Sequence, residues 1–303
     1  MQVRVLGSAA GGGLPQWNCD CPNCRAVRRA DGRVRARTQC SIAVRAAGGP
    51  WFLLNASPDV RAQLERIRDG APSGVRRSPI AGVVLTDAEL DHTAGLIVLR
   101  EATEPLRVYS TPAVREALTD GFSVLRALEA YCGVDWRPLE PGVPVRLDGG
   151  PGGALELEAF RVAGGPPKYV RSGAAGDWVV GVTVRDLATG GAVTYAPALA
   201  ELDDDVLRRL AASRALLVDG TFWQDDELAR LGIAARSARA MGHVPLAGGA
   251  DAALERLAAL RGPRKILVHI NNTNPVLRED SPERRAVEEA GVEVAHDGLT
   301  LEL

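Results

Sequence analysis

Long apolar stretches and a strong excess of charge of one sign are both missing from this 303-residue sequence. No uninterrupted apolar run approaches the roughly 18 residues that would span a bilayer. The first residues, MQVRVLGSAAGGG, carry Arg4 in an alternating pattern and lack the continuous apolar segment of a secretory signal. The formal net charge of −2 gives no electrostatic reason to bind nucleic acid or an anionic membrane. These absences predict a cytoplasmic protein with neither nucleic acid nor membrane among its partners.

Cysteine is also rare, and five residues are an odd number that does not suit a framework of disulfide bonds. Three of them, Cys19, Cys21 and Cys24, lie within six residues. Thiolates at this spacing can bind one tetrahedral Zn²⁺ and leave one position for another ligand. We therefore predict a structural zinc site here, with three reduced thiols as the alternative. Cys40 and Cys132 stand alone and are expected to be small buried residues.

Short β-type runs and amphipathic helices follow one another along the sequence. Runs that predict strands occupy residues 3–6, 41–44, 51–54, 80–85, 155–160, 179–184, 192–195, 216–219, 265–268, 292–295 and 299–303. Helices are predicted to begin after Ser57, Thr111 and Ser281, each followed by proline. Two similar halves of this kind favour two packed sheets flanked by helices over a three-layer α/β domain. We expect one domain over residues 1–303, with a Cys-x-Cys-x-x-Cys metal-binding loop at 19–24.

A glycine-rich run, Gly7–Gly13, follows the first predicted strand. It lacks a following Gly-Lys-Ser/Thr, and the residues after it do not open a helix, so it does not match a phosphate-binding loop. We interpret it as a tight turn that brings backbone close to an active site.

Three carboxylates and an imidazole crowd into residues 86–92, which read Thr-Asp-Ala-Glu-Leu-Asp-His directly after the predicted strand 80–85. The carboxylates belong to Asp87, Glu89 and Asp91. Like charges on a loop after a buried strand are costly to place unless another group compensates them. A bound divalent cation would provide that compensation.

Other metal-ligand residues also lie at strand ends or in loops, although a lone histidine is more often a surface or core residue. Asp219 and His269 each follow an apolar run, and His243 lies in a loop before a predicted helix. The residues expected to converge are Asp91, His92, Asp219, His243 and His269. His296 reads as part of a turn between the last two strands, and we expect it to be structural.

Residues 86–95 resemble the metallo-β-lactamase superfamily motif His-x-His-x-Asp-His-x-x-Gly, with Asp87 and Glu89 in place of the first two histidines. The resemblance implies an α/β fold, the four-layer αββα sandwich of that superfamily, with the metal site at one edge of the sheets. Superfamily members usually bind two zinc ions and hydrolyse esters, phosphodiesters or lactams. This sequence cannot assemble their ligand set, because no histidine lies between His92 and His243 and Ala198 stands where the bridging aspartate would be.

Three further segments, residues 6–19, 37–41 and 269–275, extend the resemblance over essentially the whole chain. Together they resemble the branch of the superfamily that acts in the biosynthesis of pyrroloquinoline quinone (PQQ). That resemblance implies an enzyme that uses Fe(II) and O2 to hydroxylate the tyrosine ring of a Glu-Tyr unit from a precursor peptide. Its expected partners are O2 and this dipeptide or a related small molecule. A homodimer is compatible with the resemblance.

The resemblance also implies roles for individual residues. His92 and His269 are the expected iron ligands, joined by Asp91 and Asp219, although Asp219 could instead orient a histidine. His243 is placed to act as a general acid or base. Glu89 could be a ligand or contact the substrate.

A phosphodiesterase relative completes its structural zinc with a histidine three residues after its last active-site histidine. Asn272 occupies that position here, and because an amide is a poor zinc ligand, water is an equal candidate for the fourth position. Four arginines are candidates for contacts with substrate carboxylates, although a solvated surface is the common position for arginine. They are Arg37, Arg100, Arg171 and Arg236.

The sequence is also compatible with two other functions. One is a zinc-dependent hydrolase that has exchanged ligands within the superfamily. The other is a non-catalytic carrier that binds PQQ or a precursor and aids its transport to the periplasm.

Overall fold

The computed structural model of the chain describes residues 1–70, 74–147, 154–170, 175–249 and 251–303. These residues form two seven-stranded sheets, with helices packed on the outer face of each. This is the four-layer αββα sandwich that the sequence predicts. Among the described residues, no helix is both long enough and apolar enough to cross a membrane.

The strands and helices are bounded as follows. The strands are β1 Gln2–Gly7, β2 Ser41–Arg45, β3 Trp51–Leu54, β4 Ile80–Val84, β5 Leu106–Ser110, β6 Val134–Pro138, β7 Pro144–Leu147, β8 Leu155–Arg161, β9 Val180–Asp186, β10 Ala192–Ala196, β11 Ala215–Asp219, β12 Arg264–Val268, β13 Val292–Val294 and β14 Thr300–Glu302. The α-helices are α1 Pro22–Arg28, α2 Val60–Leu64, α3 Leu90–Thr93, α4 Pro112–Glu116, α5 Val124–Tyr131, α6 Asp204–Ala211, α7 Glu227–Arg230, α8 Ala253–Ala259 and α9 Pro282–Glu289.

The two sheets share one plan. The first has the order β14-β1-β2-β3-β4-β5-β6, and the second has the order β13-β12-β11-β10-β9-β8-β7. In each sheet, the three pairings nearest one edge, from β14 to β3 and from β7 to β10, are antiparallel, and the other three, from β3 to β6 and from β10 to β13, are parallel. This repetition is the structural basis of the two similar halves in the sequence.

The apolar interior forms three layers because successive side chains of a strand point to opposite faces. Phe52 and Leu54 of β3 lie between the two sheets, whereas Trp51 and Leu53 pack against the helices outside the first sheet. The second sheet repeats this alternation and has its own helical layer. Strands buried on both faces read as continuous apolar runs, which is why the sequence reveals them.

Three details of the predicted elements have different outcomes. Thr111 and Ser281 cap α4 and α9 as predicted, each accepting a backbone N–H bond. Ser57 does not begin a helix, because its hydroxyl accepts the N–H of Asp59 in a turn and α2 starts only at Val60. Strands β5, β6 and β7 were missed, and β6 and β7 lie at sheet edges where few side chains are buried.

The two isolated cysteines differ in burial. Cys40 is fully buried between the sheets, as predicted, and its sulfur lies 3.2 Å from the hydroxyl of Tyr195. Cys132 is only partly buried at the end of α5, so the expectation of full burial is wrong for this residue.

Candidate metal centre

The candidate metal centre lies at the carboxyl ends of parallel strands. β4 leads into the loop 86–92, β11 ends at Asp219, and β12 leads directly to His269. His269 has a φ of +54°, which is rare for a residue other than glycine and turns its side chain away from the strand direction. Strained backbone of this kind occurs where the surrounding structure holds a functional side chain in place.

Asp91, His92 and His269 meet at this edge, and one ligand atom from each lies within 4.8 Å of the others. Asp91 Oδ2 is 3.2 Å from His269 Nε2 and 3.9 Å from His92 Nε2. His92 is buried, and among the described residues its Nε2 has no hydrogen-bond partner. A buried nitrogen without a partner is costly unless it binds something. The three donors therefore fit a metal ion.

Asp87 fixes the orientation of His92. Its two carboxylate oxygens lie 2.9 and 2.7 Å from His92 Nδ1, which leaves Nε2 directed at the candidate ion. Burial disfavours the charged imidazole, but the carboxylates of Asp87 and Asp91 outweigh it and raise the pKa of His92 to about 9. A carboxylate behind a histidine ligand is a common arrangement in metal sites. Sequence reasoning assigned Asp87 no role of its own, and its place in the superfamily motif is the signal that marks it.

Asp219 and His243 form a second, adjoining pair. Asp219 Oδ2 lies 2.6 Å from His243 Nδ1 and accepts the N–H of Leu199, while its Oδ1 accepts from Thr221. Asp219, His243 and His269 also offer ligand atoms within 4.8 Å of one another. Because both oxygens of Asp219 already accept hydrogen bonds, its geometry suits the orientation of His243.

Thr221 joins the two groups. Its hydroxyl lies 2.8 Å from His269 Nδ1 and 3.1 Å from His243 Nδ1 and donates to Asp219. The two imidazole rings stack with centroids 5.2 Å apart. Thr221 therefore orients His269 with its Nε2 toward Asp91. Sequence reasoning missed this residue, since a threonine two positions after a strand carries no distinctive signal.

A cavity of about 470 Å³ opens above these residues. Glu89 lines this cavity. Its position there, partly shielded from solvent and close to the charges of Asp87 and Asp91, raises the pKa of the Glu89 carboxyl. The predicted catalytic residues Glu89 and His243 therefore face the same cavity as the candidate metal ligands. Ala198, at the position of the missing bridging aspartate, lines it too.

The glycine run 7–13 approaches the centre as predicted. A Cβ atom on Gly11 would lie 3.2 Å from Asp91 Oδ2, and Gly11 lines the cavity.

We expect Gly11→Ala to displace the Asp91 carboxylate and to weaken metal binding at this centre roughly tenfold, as changes around a ligand do. Competition with a chelator would measure the affinity. Gly165→Ala is the control, because a Cβ there meets nothing within 4 Å on the same cavity wall; equal affinities in both variants would contradict the prediction.

The three cysteines also converge, with their sulfurs within 4.8 Å of one another. Burial, followed by the neighbouring Cys24 thiol, raises the pKa of Cys21 to about 12, so joint ionisation requires a cation. The thiol set therefore fits zinc. Asn272 is buried beside them, but its amide nitrogen lies 3.2 Å from Cys24 Sγ and 3.7 Å from Cys21 Sγ. In this arrangement Asn272 donates hydrogen bonds to the sulfurs, which suits a supporting residue better than a ligand.

Glu227 is buried beneath the loop that joins the two centres. Its carboxylate accepts from the Thr273 hydroxyl and, at 2.7 Å, from the N–H of Trp223. Burial raises the pKa of Glu227 from 4.5 to about 7. The folded chain therefore retains a proton that the unfolded chain releases above pH 4.5.

The protonated Glu227 side chain therefore contributes its full stabilisation of the fold below pH 4.5, and this contribution is lost as the pH rises to about 7. We expect this one group to lower the free energy of unfolding by up to about 3 kcal/mol over that window. Glu227→Gln should flatten the dependence, measured by urea unfolding at several pH values. Glu289→Gln, at an exposed site of α9, should leave it unchanged. An unaltered slope in Glu227→Gln would refute the assignment.

The model of the Beta-lactamase superfamily domain matches residues 50–270. Coenzyme PQQ synthesis protein B of Methylococcus capsulatus is 46% identical over the full length of both chains, and that of Azoarcus sp. is also 46% identical over the full length of both. The chain belongs to the coenzyme PQQ synthesis protein B family. The crystal structure of Zn²⁺-bound PqqB from Methylobacterium extorquens is similar over both whole chains, with 40% identity and a TM-score of 0.89.

A diphosphatase of the PhnP family shares the fold, with 20% identity and a TM-score of 0.68. It covers this whole chain and 96% of its own. At this identity, the similarity concerns the architecture alone.

His296 and the candidate arginines that the structure describes have different positions relative to the cavity. His296 contacts the carbonyl of Asp297 in a turn, as expected for a structural residue. Arg37 is buried and donates to Ser8, whereas Arg100 is exposed beside Tyr131. Arg171 lies outside the described residues, and Arg236 lines the cavity.

Proposed function

We propose that this chain acts in PQQ biosynthesis as an Fe(II)- and O2-dependent hydroxylase of the tyrosine ring in a Glu-Tyr unit. The single observation that carries the proposal is the set of two imidazoles and one carboxylate at the floor of the cavity, with a buried His92 nitrogen that no described residue hydrogen-bonds. Two histidines and a carboxylate are the ligands of non-haem iron oxygenases. Family membership supports the pathway.

Bound Fe(II) would supply the redox chemistry that activates O2. Asp87 and Thr221 hold His92 and His269 in the tautomers that present Nε2. His243 lines the cavity with Nδ1 engaged by Asp219, so its Nε2 can exchange a proton with the substrate phenol. Burial disfavours the His243 imidazolium, but Asp219 outweighs it and raises the pKa of His243, which favours proton donation.

The overall reaction inserts one atom of O2 into a ring C–H bond and forms a hydroxyl group. The second oxygen atom becomes water by accepting two electrons and two protons from an external reductant, such as ascorbate. The cavity keeps the ring near the metal ligands, and the protein supplies orientation and proton transfer.

Anaerobically purified protein loaded with Fe(II) provides the test. With Glu-Tyr dipeptide and ascorbate, we expect O2 uptake and a product heavier by the mass of one oxygen atom, labelled when ¹⁸O2 is supplied. Absence of O2 uptake in protein shown to contain iron would refute the hydroxylase. Tight binding of PQQ without turnover would favour the carrier instead.

A zinc-dependent hydrolase is a second candidate, because Asp219, His243 and His269 form a further group of potential ligands beside the first. His269 belongs to both groups. The hydrogen bonds already made by both Asp219 oxygens and the alanine at position 198 count against it. Metal analysis discriminates between the two: the hydrolase predicts two active-site metals and ester or phosphodiester cleavage, whereas the hydroxylase predicts one.

A further inference from the structure

Two cationic side chains line a cavity whose floor is otherwise rich in carboxylates. They are Lys168, in the segment between β8 and β9, and Arg236, in the segment after α7. Of the 36 basic residues in the chain, only Lys168 and Lys265 are lysines. Lys168 is exposed, and among the described residues it belongs to no ion pair within 4.0 Å.

The backbone around Lys168 is held in place over the metal centre. The next residue, Tyr169, donates its hydroxyl to the carbonyl of Ala88, directly before Glu89, and its ring packs against Phe122 with centroids 6.2 Å apart. On the other side, the buried Pro167 accepts the N–H of Val170. The lysine therefore extends from an anchored segment, which lowers the entropy lost when its ammonium group binds a ligand.

Arg236 is available in a similar way. Its guanidinium donates to the carbonyl of Ala240, a neutral acceptor, and both residues line the cavity. One donor group of the guanidinium is used in that bond, and its other donors have no partner within the described part of the chain, so they can bind a carboxylate. The cavity thus combines a metal-binding floor, which takes an oxygen or nitrogen donor, with cations that take an anion.

We propose that Lys168 and Arg236 bind a carboxylate of the substrate and thereby place its aromatic ring over the metal ligands. The substrate class is a phenol-bearing molecule with at least one carboxylate. Its identity as a Glu-Tyr unit rests on the proposed function.

The chain offers a direct probe because it contains two lysines. Reductive ¹³C-methylation of the zinc-loaded protein would label Lys168, Lys265 and the α-amino group of Met1, which pairs with Asp186. Lys265 lies near the start of β12, whereas His269 follows the end of that strand, and the Lys265 ammonium donates to the carbonyl of Leu260. Its signal therefore serves as an internal reference. On titration with Glu-Tyr dipeptide, we expect the Lys168 methyl signal alone to move, and to move less with the C-terminal amide of the same dipeptide.

Calorimetry with unmethylated zinc-loaded protein gives the affinity without any turnover. Lys168→Gln should weaken dipeptide binding about fivefold or more, and Lys168→Arg should restore most of it, since a charged hydrogen bond is retained. Arg236→Gln should weaken it similarly, and Lys265→Gln should bind like wild type. The difference between wild type and Lys168→Gln should shrink as salt is raised.

Equal affinity of Lys168→Gln and wild type, or a Lys168 signal that does not respond, would overturn the inference. Failure of the wild-type protein to bind the dipeptide would overturn it as well. Neither measurement depends on iron or O2. If the dipeptide binds in a way that needs Lys168 but the iron-loaded protein has no hydroxylase activity, the proposed function is rejected and the carboxylate site is retained.

Discussion

Replacing His92 with alanine is expected to remove metal from the candidate metal centre and to reduce the proposed hydroxylation below detection. The variant loses His92 Nε2, which is one of three buried side-chain nitrogens without a hydrogen-bond partner among the described residues and the one that faces Asp91. It also leaves Asp87, which is 2% exposed, without the imidazole it contacts at 2.7 Å. Breaking a buried charge pair on one side costs about 3–5 kcal/mol, so stability should fall as well.

Asp87→Asn separates the loss of metal from the loss of stability. It keeps the His92 ligand but removes one negative charge that fixes the ring, and we expect the metal affinity to fall about 10- to 100-fold while the chain stays folded. Metal content and affinity are measured by elemental analysis and chelator competition, and activity by O2 uptake. His296→Ala is the matched control at the partly buried turn after β13. Full metal content with unchanged turnover in His92→Ala would contradict the proposed ligand set.

Replacing Cys24 with serine is expected to remove one zinc ion per chain and to lower thermal stability. Cys24 is fully buried, and its sulfur accepts from the N–H of Gln16 and from the amide of Asn272. The site therefore ties the N-terminal loop to the segment after β12. Zinc at a hundred times its Kd stabilises a fold by about 2.7 kcal/mol. Its loss should therefore lower the Tm of a 303-residue chain by roughly 4 °C.

Further variants define the fourth position of the cysteine site. Asn272→His would place an imidazole beside the sulfurs and should tighten zinc binding, while Asn272→Ala should leave one zinc bound if the fourth ligand is water. Cys132→Ser, at a partly buried thiol apart from the cluster, should change neither zinc content nor Tm appreciably. Unchanged zinc content in Cys24→Ser would show that the three thiols hold no metal.

Local features predicted a good part of this architecture. The strands that carry the active site, β4, β11 and β12, read as short apolar runs because both of their faces are buried. The proline-led caps at Thr111 and Ser281 satisfy backbone N–H groups by contacts three residues away, so the sequence alone shows them. The exposed edge strands β6 and β7 lack such a pattern and were missed for that reason.

The candidate site divides in the same way. The dense run of carboxylates at 86–92 indicated a cation from residue types and spacing alone. Which carboxylate faces the ion and which lies behind the histidine depends on packing, because Asp87 and Asp91 have the same chemistry and differ only in their surroundings. Burial places Asp87 against His92 Nδ1, while Asp91 turns toward His269.

The sequence by itself determined most of the elements, the family and the inventory of chemical groups, since these depend on short-range periodicity and on residue identity. Only the tertiary structure decided which groups meet. Asp91 and His269 are 178 residues apart in the chain, and they come within 3.2 Å because the two sheets pack face to face. The position of Lys168 over the cavity has the same origin, because the neighbouring Tyr169 bonds to Ala88 in the loop after β4 of the other sheet. The contacts of Thr221 instead depend on the pairing of β11 with β12 in one sheet, which no local rule encodes either.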